Sequence, residues 1–161
     1  MATPAPSQVY QLQAGTSADL AEVMEVMEAA FGDTYGEGWT RSQIAGILPM
    51  AGVSLVLARV TADNRCAGFS LSRAVADEAE LLLIAVLPDQ RRRGIARLLL
   101  DEFMREARDS GLRRIHLEVR NGNPATELYR DAGFAPVGRR RNYYQGADSR
   151  RHDAITFARE V

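Results

Sequence analysis

Leu81-Leu82-Leu83-Ile84-Ala85-Val86-Leu87-Pro88-Asp89-Gln90-Arg91-Arg92-Arg93-Gly94-Ile95-Ala96 is the stretch around which this chain is organised. Its first half is an uninterrupted apolar run, with the length and composition of a strand buried on both faces. Its second half turns at Pro88-Asp89, passes three arginines and enters an amphipathic segment at Gly94. Ile95, Leu98, Leu99, Phe103 and Ala107 then recur at helical spacing. The first amides of a helix have no partners inside it and carry the positive end of its dipole. Gly94 and Ala96 lack bulk, so a phosphate could approach the backbone closely, and arginines supply forked, permanently charged donors nearby. Two readings fit this stretch: a cradle for pyrophosphate, or an ordinary strand–helix connection with solvated arginines.

Working outward, the charge of the chain is uneven. Residues 1–86 carry four arginines against ten acids, whereas residues 87–161 carry sixteen against eleven. All twenty basic residues are arginine, which fits a compositional habit of the source. The positive half holds the candidate cradle, which suits a polyanionic small molecule. The near-neutral balance and the lack of a basic run interleaved with aromatics speak against nucleic acid.

The 161 residues suit one domain, with 46% apolar and 25% charged content typical of a water-soluble protein. No apolar run is long enough to cross a bilayer, and the start shows no secretion signal. The single cysteine, Cys66, fits a reducing compartment, so the expected location is cytoplasmic. Residues 1–6 read as a flexible N-terminus and residues 7–161 as the domain.

Val9 to Leu12 reads as a first strand. Leu20, Val23, Met24, Met27 and Phe31 mark one face of a helix, followed by a glycine-bearing loop, Asp33 to Gly38, that contains Tyr35 and leads to Trp39. Thr40-Arg41-Ser42-Gln43 has capping-box spacing for a short second helix. Val53–Val60 and Gly68–Val75 read as a hairpin that continues into the strand at Leu81. The helix after Gly94 stops at Ser110-Gly111, and Arg114 to Val119 alternates as a half-buried strand. A strand, helix and strand of this length pair parallel through a right-handed crossover. Asn123-Pro124 opens a further helix as cap and first position, ended by Gly133. Phe134–Arg141 is strand-like, Asn142–Asp148 a loop, and Asp153–Arg159 a last strand. The order βααβββαβαββ describes one mixed α/β domain.

Two groups could do acid–base chemistry. Glu118 shares the polar face of its strand with His116 and Arg114, and could accept a proton or simply be salt-bridged. Tyr129 could donate a proton to a departing anion or simply pack in the core. His116 reads as a surface or supporting residue, and His152 as part of a distant loop. No set of His, Cys and Asp has metal-ligand spacing, so no metal is expected.

Arg91-Arg92-Arg93-Gly94-Ile95-Ala96 resembles the Arg/Gln-x-x-Gly-x-Gly/Ala signature of the GNAT acetyltransferases. Leu117-Glu118-Val119-Arg120, Asn123, Leu128-Tyr129, Gly133-Phe134 and Arg141-Asn142-Tyr143-Tyr144 resemble one branch of them, the bacterial RimI-type alanine N-acetyltransferases of a ribosomal protein. The resemblance runs from Leu81 to Phe157. It implies the GNAT fold, an α/β (α+β) architecture with a mixed, mostly antiparallel seven-stranded sheet and helices on both faces. It also implies acetyl-CoA as co-substrate, direct transfer in a ternary complex, and an acceptor protein N-terminus, that of a small-subunit ribosomal protein. Under it, the backbone of Ile84, Ala85 and Val86 pairs with the pantetheine arm. Arg91, Arg92, Arg93, Gly94, Ile95 and Ala96 hold the pyrophosphate, and Asn123 touches the coenzyme near its reactive end. Glu118 is the base, Tyr129 the acid, and Tyr35, Trp39, Tyr143 and Tyr144 border the acceptor. The chain is then a monomer or weak homodimer, with no membrane and no direct nucleic-acid partner.

Two segments depart from the RimI-type pattern. A Phe-Pro-Trp-Ser turn is replaced by the longer, proline-free stretch from Phe31 to Trp39-Thr40, and one extra residue lies between Tyr144 and Asp153. Both flank the acceptor. Acetylation of a small-molecule amine and a non-catalytic coenzyme sensor are therefore the other readings. The chain's own amino end, Ala2 once Met1 is removed, is an acceptor of the same kind.

Overall fold

The computed structural model describes residues 9–161; the N-terminal stretch 1–6, expected to be loose, lies outside the described residues. The chain forms β1 (Tyr10–Ala14), α1 (Leu20–Phe31), α2 (Arg41–Ile47), β2 (Val53–Val60), β3 (Cys66–Val75) and β4 (Glu78–Val86). It continues through α3 (Ile95–Asp109), β5 (Arg114–Arg120), α4 (Thr126–Asp131), β6 (Ala135–Gln145) and β7 (Arg151–Glu160). The seven strands make one sheet in the order β1-β2-β3-β4-β5-β7-β6. Among the described residues only β4 and β5 run parallel, joined by the α3 crossover.

Helices cover both faces. On one face Val23, Val26 and Met27 of α1 and Ile44 of α2 pack against Leu55, Leu57, Phe69 and Leu71. On the other, Leu100, Phe103, Met104 and Ala107 of α3 and Tyr129 of α4 pack against Ile115, Leu117 and Phe157. The apolar spacing read in α1 and α3 is what each helix presents to the sheet. The capping box at α2 forms as its spacing predicts: Gln43 N donates to Thr40 Oγ1 at 3.2 Å, and Thr40 N to Gln43 Oε1 at 2.7 Å. Among the described residues no helix is long and apolar enough to cross a membrane.

The run at Leu81 behaves differently from a uniformly buried strand. Its register against β3 slips between Leu71 and Ser72, which face Leu83 and Leu81, so Leu82 is an inserted residue. Leu81 therefore faces the α3 side, while Leu82 and Leu83 both face the α1 side. Beyond the bulge, β4 no longer pairs with β5. The parallel ladder covers only Glu78–Leu81 against Arg114–Leu117, although both strands continue. Leu82, Ile84 and Val86 are consequently only half-buried.

β6 is longer than the sequence suggests and runs into the expected Asn142–Asp148 loop, as far as Gln145. It bulges strongly on the way. Arg140 faces Ala154 and Tyr144 faces His152, so four steps along β6 match two along β7. Asn142 N donates to Asp153 Oδ1 at 2.9 Å and pins this bulge.

Candidate active site

A cavity of about 690 Å³ opens where β4 and β5 part. Its wall follows β4 from Leu81 to Val86, β5 from Leu117 to Arg120, the start of α3, the turn before α4, and the loop after α1. Leu87 N donates to Ala67 O, which fixes the alternation of the β3–β4 ladder. By that alternation Ala85 exchanges bonds with β3, while the main-chain groups of Ile84 and Val86 point away from it, toward the opening. An extended ligand laid along β4 can bond to them as a missing strand would.

The cavity ends at the head of α3. Gly94 occupies the cap position with φ 80°, and no side chain caps the helix. The first amides of a 15-residue helix thus lack intrahelical partners and point into a site bordered by Arg91, Arg92, Gly94, Ile95 and Ala96. These residues suit a diphosphate. Arg93 is not among the residues that line the cavity.

At the other end stand the two candidate proton-transfer groups. Glu118 and Tyr129 both line the cavity. Glu118 Oε1 lies 2.9 Å from Arg140 Nε. Tyr129 is buried, with its ring edge-on to Phe134, and burial pushes its phenol well above the ordinary tyrosine range. The nearby carboxylate of Glu37 acts in the same direction. The hydroxyl therefore stays protonated throughout the neutral range and beyond, the state required of a proton donor.

Asn123 lines the cavity, but its side chain is already engaged. Its Oδ1 accepts from Ala125 N at 2.9 Å, and its Nδ2 donates to Glu37 Oε2 at 2.8 Å. It caps the turn leading into α4, whose regular part begins only at Thr126. Glu37, which the sequence reading did not single out, is the hub of this end. Its other oxygen accepts from Arg120 Nε at 2.8 Å, and both side chains are largely buried. The Arg120 guanidinium lies 3.7 Å over the Tyr35 ring, and Tyr35 stands edge-on to His152. Read as part of a distant loop, His152 instead lies on β7 beside the site, with its Nε2 buried and unpartnered. The only advance sign of Glu37 was its place in a loop of unusual length.

The two segments that depart from the RimI-type pattern touch each other. Ala147 N donates to Asp33 O, Gly36 seats against the Gln145 carbonyl, and Gly146 seats against the Thr34 carbonyl. At both glycines a β-carbon would collide with that backbone, so only glycine permits the approach. Of the four aromatics expected around the acceptor, Tyr35 and Tyr144 line the cavity. Trp39 instead packs against the α1–α2 core, and Tyr143 is exposed, edge-on to Tyr144. His116 sits between two carboxylates, each nitrogen 3.8 Å from an oxygen of Glu78 or Glu80.

Comparison with known proteins bears on the same residues. A sequence model of the acetyltransferase (GNAT) family matches residues 20–134. The [ribosomal protein bS18]-alanine N-acetyltransferase of Salmonella typhimurium is 44% identical over 101 residues, covering 62% of this chain and 68% of that protein. The crystal structure of the ribosomal-protein-S18-alanine N-acetyltransferase from Escherichia coli superimposes with a TM-score of 0.85 at 30% identity, covering 95% of this chain and 94% of that one. Arabidopsis thaliana NAA60, solved with acetyl-CoA, shares the fold with a TM-score of 0.80 at 16% identity, covering 95% and 99%.

Proposed function

The chain belongs to the GNAT family of acetyltransferases, and from that premise we propose that it acetylates the α-amino group of a protein whose first residue is alanine or similarly small. Ribosomal protein bS18, the acceptor named for its relatives, is the natural candidate. The observation that carries this reading is that one cavity joins the uncapped head of α3, the unpaired backbone of Ile84 and Val86, and the side chains of Glu118 and Tyr129.

Acetyl-CoA supplies the activated acetyl group as a thioester. The amides at the head of α3, with Arg91 and Arg92, bind its diphosphate. The Ile84 and Val86 backbone holds the pantetheine arm, so that the thioester lies between β4 and β5 at the far end. Only a neutral amine attacks a carbonyl. An α-amino group with pKa near 7.7–8.0 is ~10–20% neutral at pH 7, whereas a lysine near 10.4 is neutral about 0.04% of the time. Glu118, directly or through a water, removes the proton that the nitrogen sheds as the new C–N bond forms. The C–S bond then breaks, and Tyr129 gives its hydroxyl proton to the departing sulfur. Its buried, protonated phenol suits that step. Holding the amine and thioester together supplies much of the rate.

The test is a panel of peptides that differ only in residue one, incubated with the protein and acetyl-CoA. Rapid acetylation of the amino end of Ala-first peptides, and slow reaction of bulky-first ones, is the expected result. Turnover confined to non-peptide amines would reject the reading.

A further inference from the structure

The arginine run 139–141 lies on the outermost strand, outside the cavity wall, yet one member reaches into the site. Arg140 extends from β6 over β7 to β5, where its Nε meets Glu118 Oε1 at 2.9 Å. On the intervening strand, Thr156 lies between Glu118 and Gly138, so β6 presents no side chain at that position of the path. The β6 bulge starts at Arg140, and Tyr143 within it places its ring 5.2 Å from the guanidinium. The neighbouring Arg139 turns instead to Asp153.

The two ion pairs at this end differ in kind. Arg120 and Glu37 are both about nine-tenths buried and tie two segments of chain together. Arg140 keeps 60% of its side chain exposed, while Glu118 keeps 15%. A pair with one partner so exposed adds little to stability, on the order of 0–1 kcal/mol. Its effect falls on the carboxylate. With Oε1 paired to Arg140, Oε2, to which no described hydrogen bond runs, is the oxygen that remains to take a proton.

We propose that Arg140 is a positioning residue for acetyl transfer, anchoring Oε1 of Glu118 so that Oε2 receives the proton of the acceptor amine, with Tyr143 bracing the guanidinium. This rests on the reading of Glu118 as the base. Without the anchor the carboxylate samples other rotamers and spends less time in the productive one, a loss felt in kcat. Coenzyme binding, at the other end of the cavity, is untouched.

The experiment compares Arg140→Ala with Arg141→Ala, which removes the same charge from the same strand, and with Glu118→Gln, all on an Ala-first peptide. The expected result is a fall in kcat of between about tenfold and a hundredfold for Arg140→Ala. The KM for acetyl-CoA and the melting temperature stay unchanged, Arg141→Ala behaves as the parent, and added methylguanidinium restores activity to Arg140→Ala alone. In the Glu118→Gln background, Arg140→Ala costs nothing more, because the two act as a unit. An inactive Glu118→Gln beside an Arg140→Ala that keeps its kcat, or that methylguanidinium fails to rescue, overturns this inference and leaves Glu118 as the base. A fully active Glu118→Gln overturns the base itself.

Discussion

At the scale of the residue, the proposed chemistry draws on one side chain whose protonation is set by burial, Tyr129. Phenylalanine fills nearly the same space, so Tyr129→Phe should fold with a stability change within ~1 kcal/mol. It should lose about a hundredfold or more in kcat while binding acetyl-CoA as before, as steady-state kinetics and calorimetry will read. Cys66 offers a check on the same logic away from the site. It is buried, its Sγ donates to Gly68 O, and burial pushes its thiol up to about 11 from 9.0. The unfolded chain releases this proton near pH 9 and the folded chain does not, so stability present below that point is lost as pH rises toward 11. Melting temperatures recorded from pH 8 to 11 should fall more steeply for the parent than for Cys66→Ala. Glu118 and Tyr129 were legible as candidates because a carboxylate on a polar strand face and a phenol on a short helix are recognisable types. Glu37 was not, because its importance lies in Arg120 and Asn123, more than eighty residues away.

At the scale of the element, order and type follow from periodicity, and the eleven α-helices and β-strands of the described residues stand in the order the alternation and helical spacing predict. Two features were hidden. The Leu82 bulge depends on how β4 meets β3, and the parting of β4 from β5 on strands separated by a helix; neither leaves a mark in a run of apolar letters. The extension of β6 to Gln145 was hidden by Asn142 and by the nearby Gly146 and Asp148, which do form the following turn, although β7 pairs with the strand as far as Gln145. The head of α3 gives a sharp prediction. An acid in the first turn of a helix ordinarily stabilises it by about 0.3–1 kcal/mol. Ala96→Asp should therefore keep or raise the melting temperature while weakening acetyl-CoA at least tenfold by calorimetry. A surface without a bound diphosphate would gain stability and lose nothing. The interlocked loops predict the converse pattern. Gly36→Ala forces a β-carbon into the Gln145 carbonyl, so it should raise the KM for acceptor peptide and leave that for acetyl-CoA unchanged.

At the scale of the whole molecule, one irregularity organises the rest. Four described strands (β1–β4) and three (β5, β7, β6) are each antiparallel sets, and the parallel β4–β5 pair that joins them stops after four residues on each strand, so the sheet opens. The opening exposes backbone on β4, admits side chains from β5 and α4, and ends at the uncapped start of α3. A ligand that fills it bridges both halves of the fold. At a hundredfold excess over its Kd, acetyl-CoA should stabilise the protein by ~2.7 kcal/mol, raising the melting temperature by about 5–10 °C. The most direct measurement is residue-resolved amide hydrogen exchange with and without acetyl-CoA. The account predicts slowed exchange at Ile84 and Val86 and at Ile95, Ala96 and Arg97, with β1 and β2 unchanged. Unaltered exchange at both sets while the coenzyme is bound would contradict it.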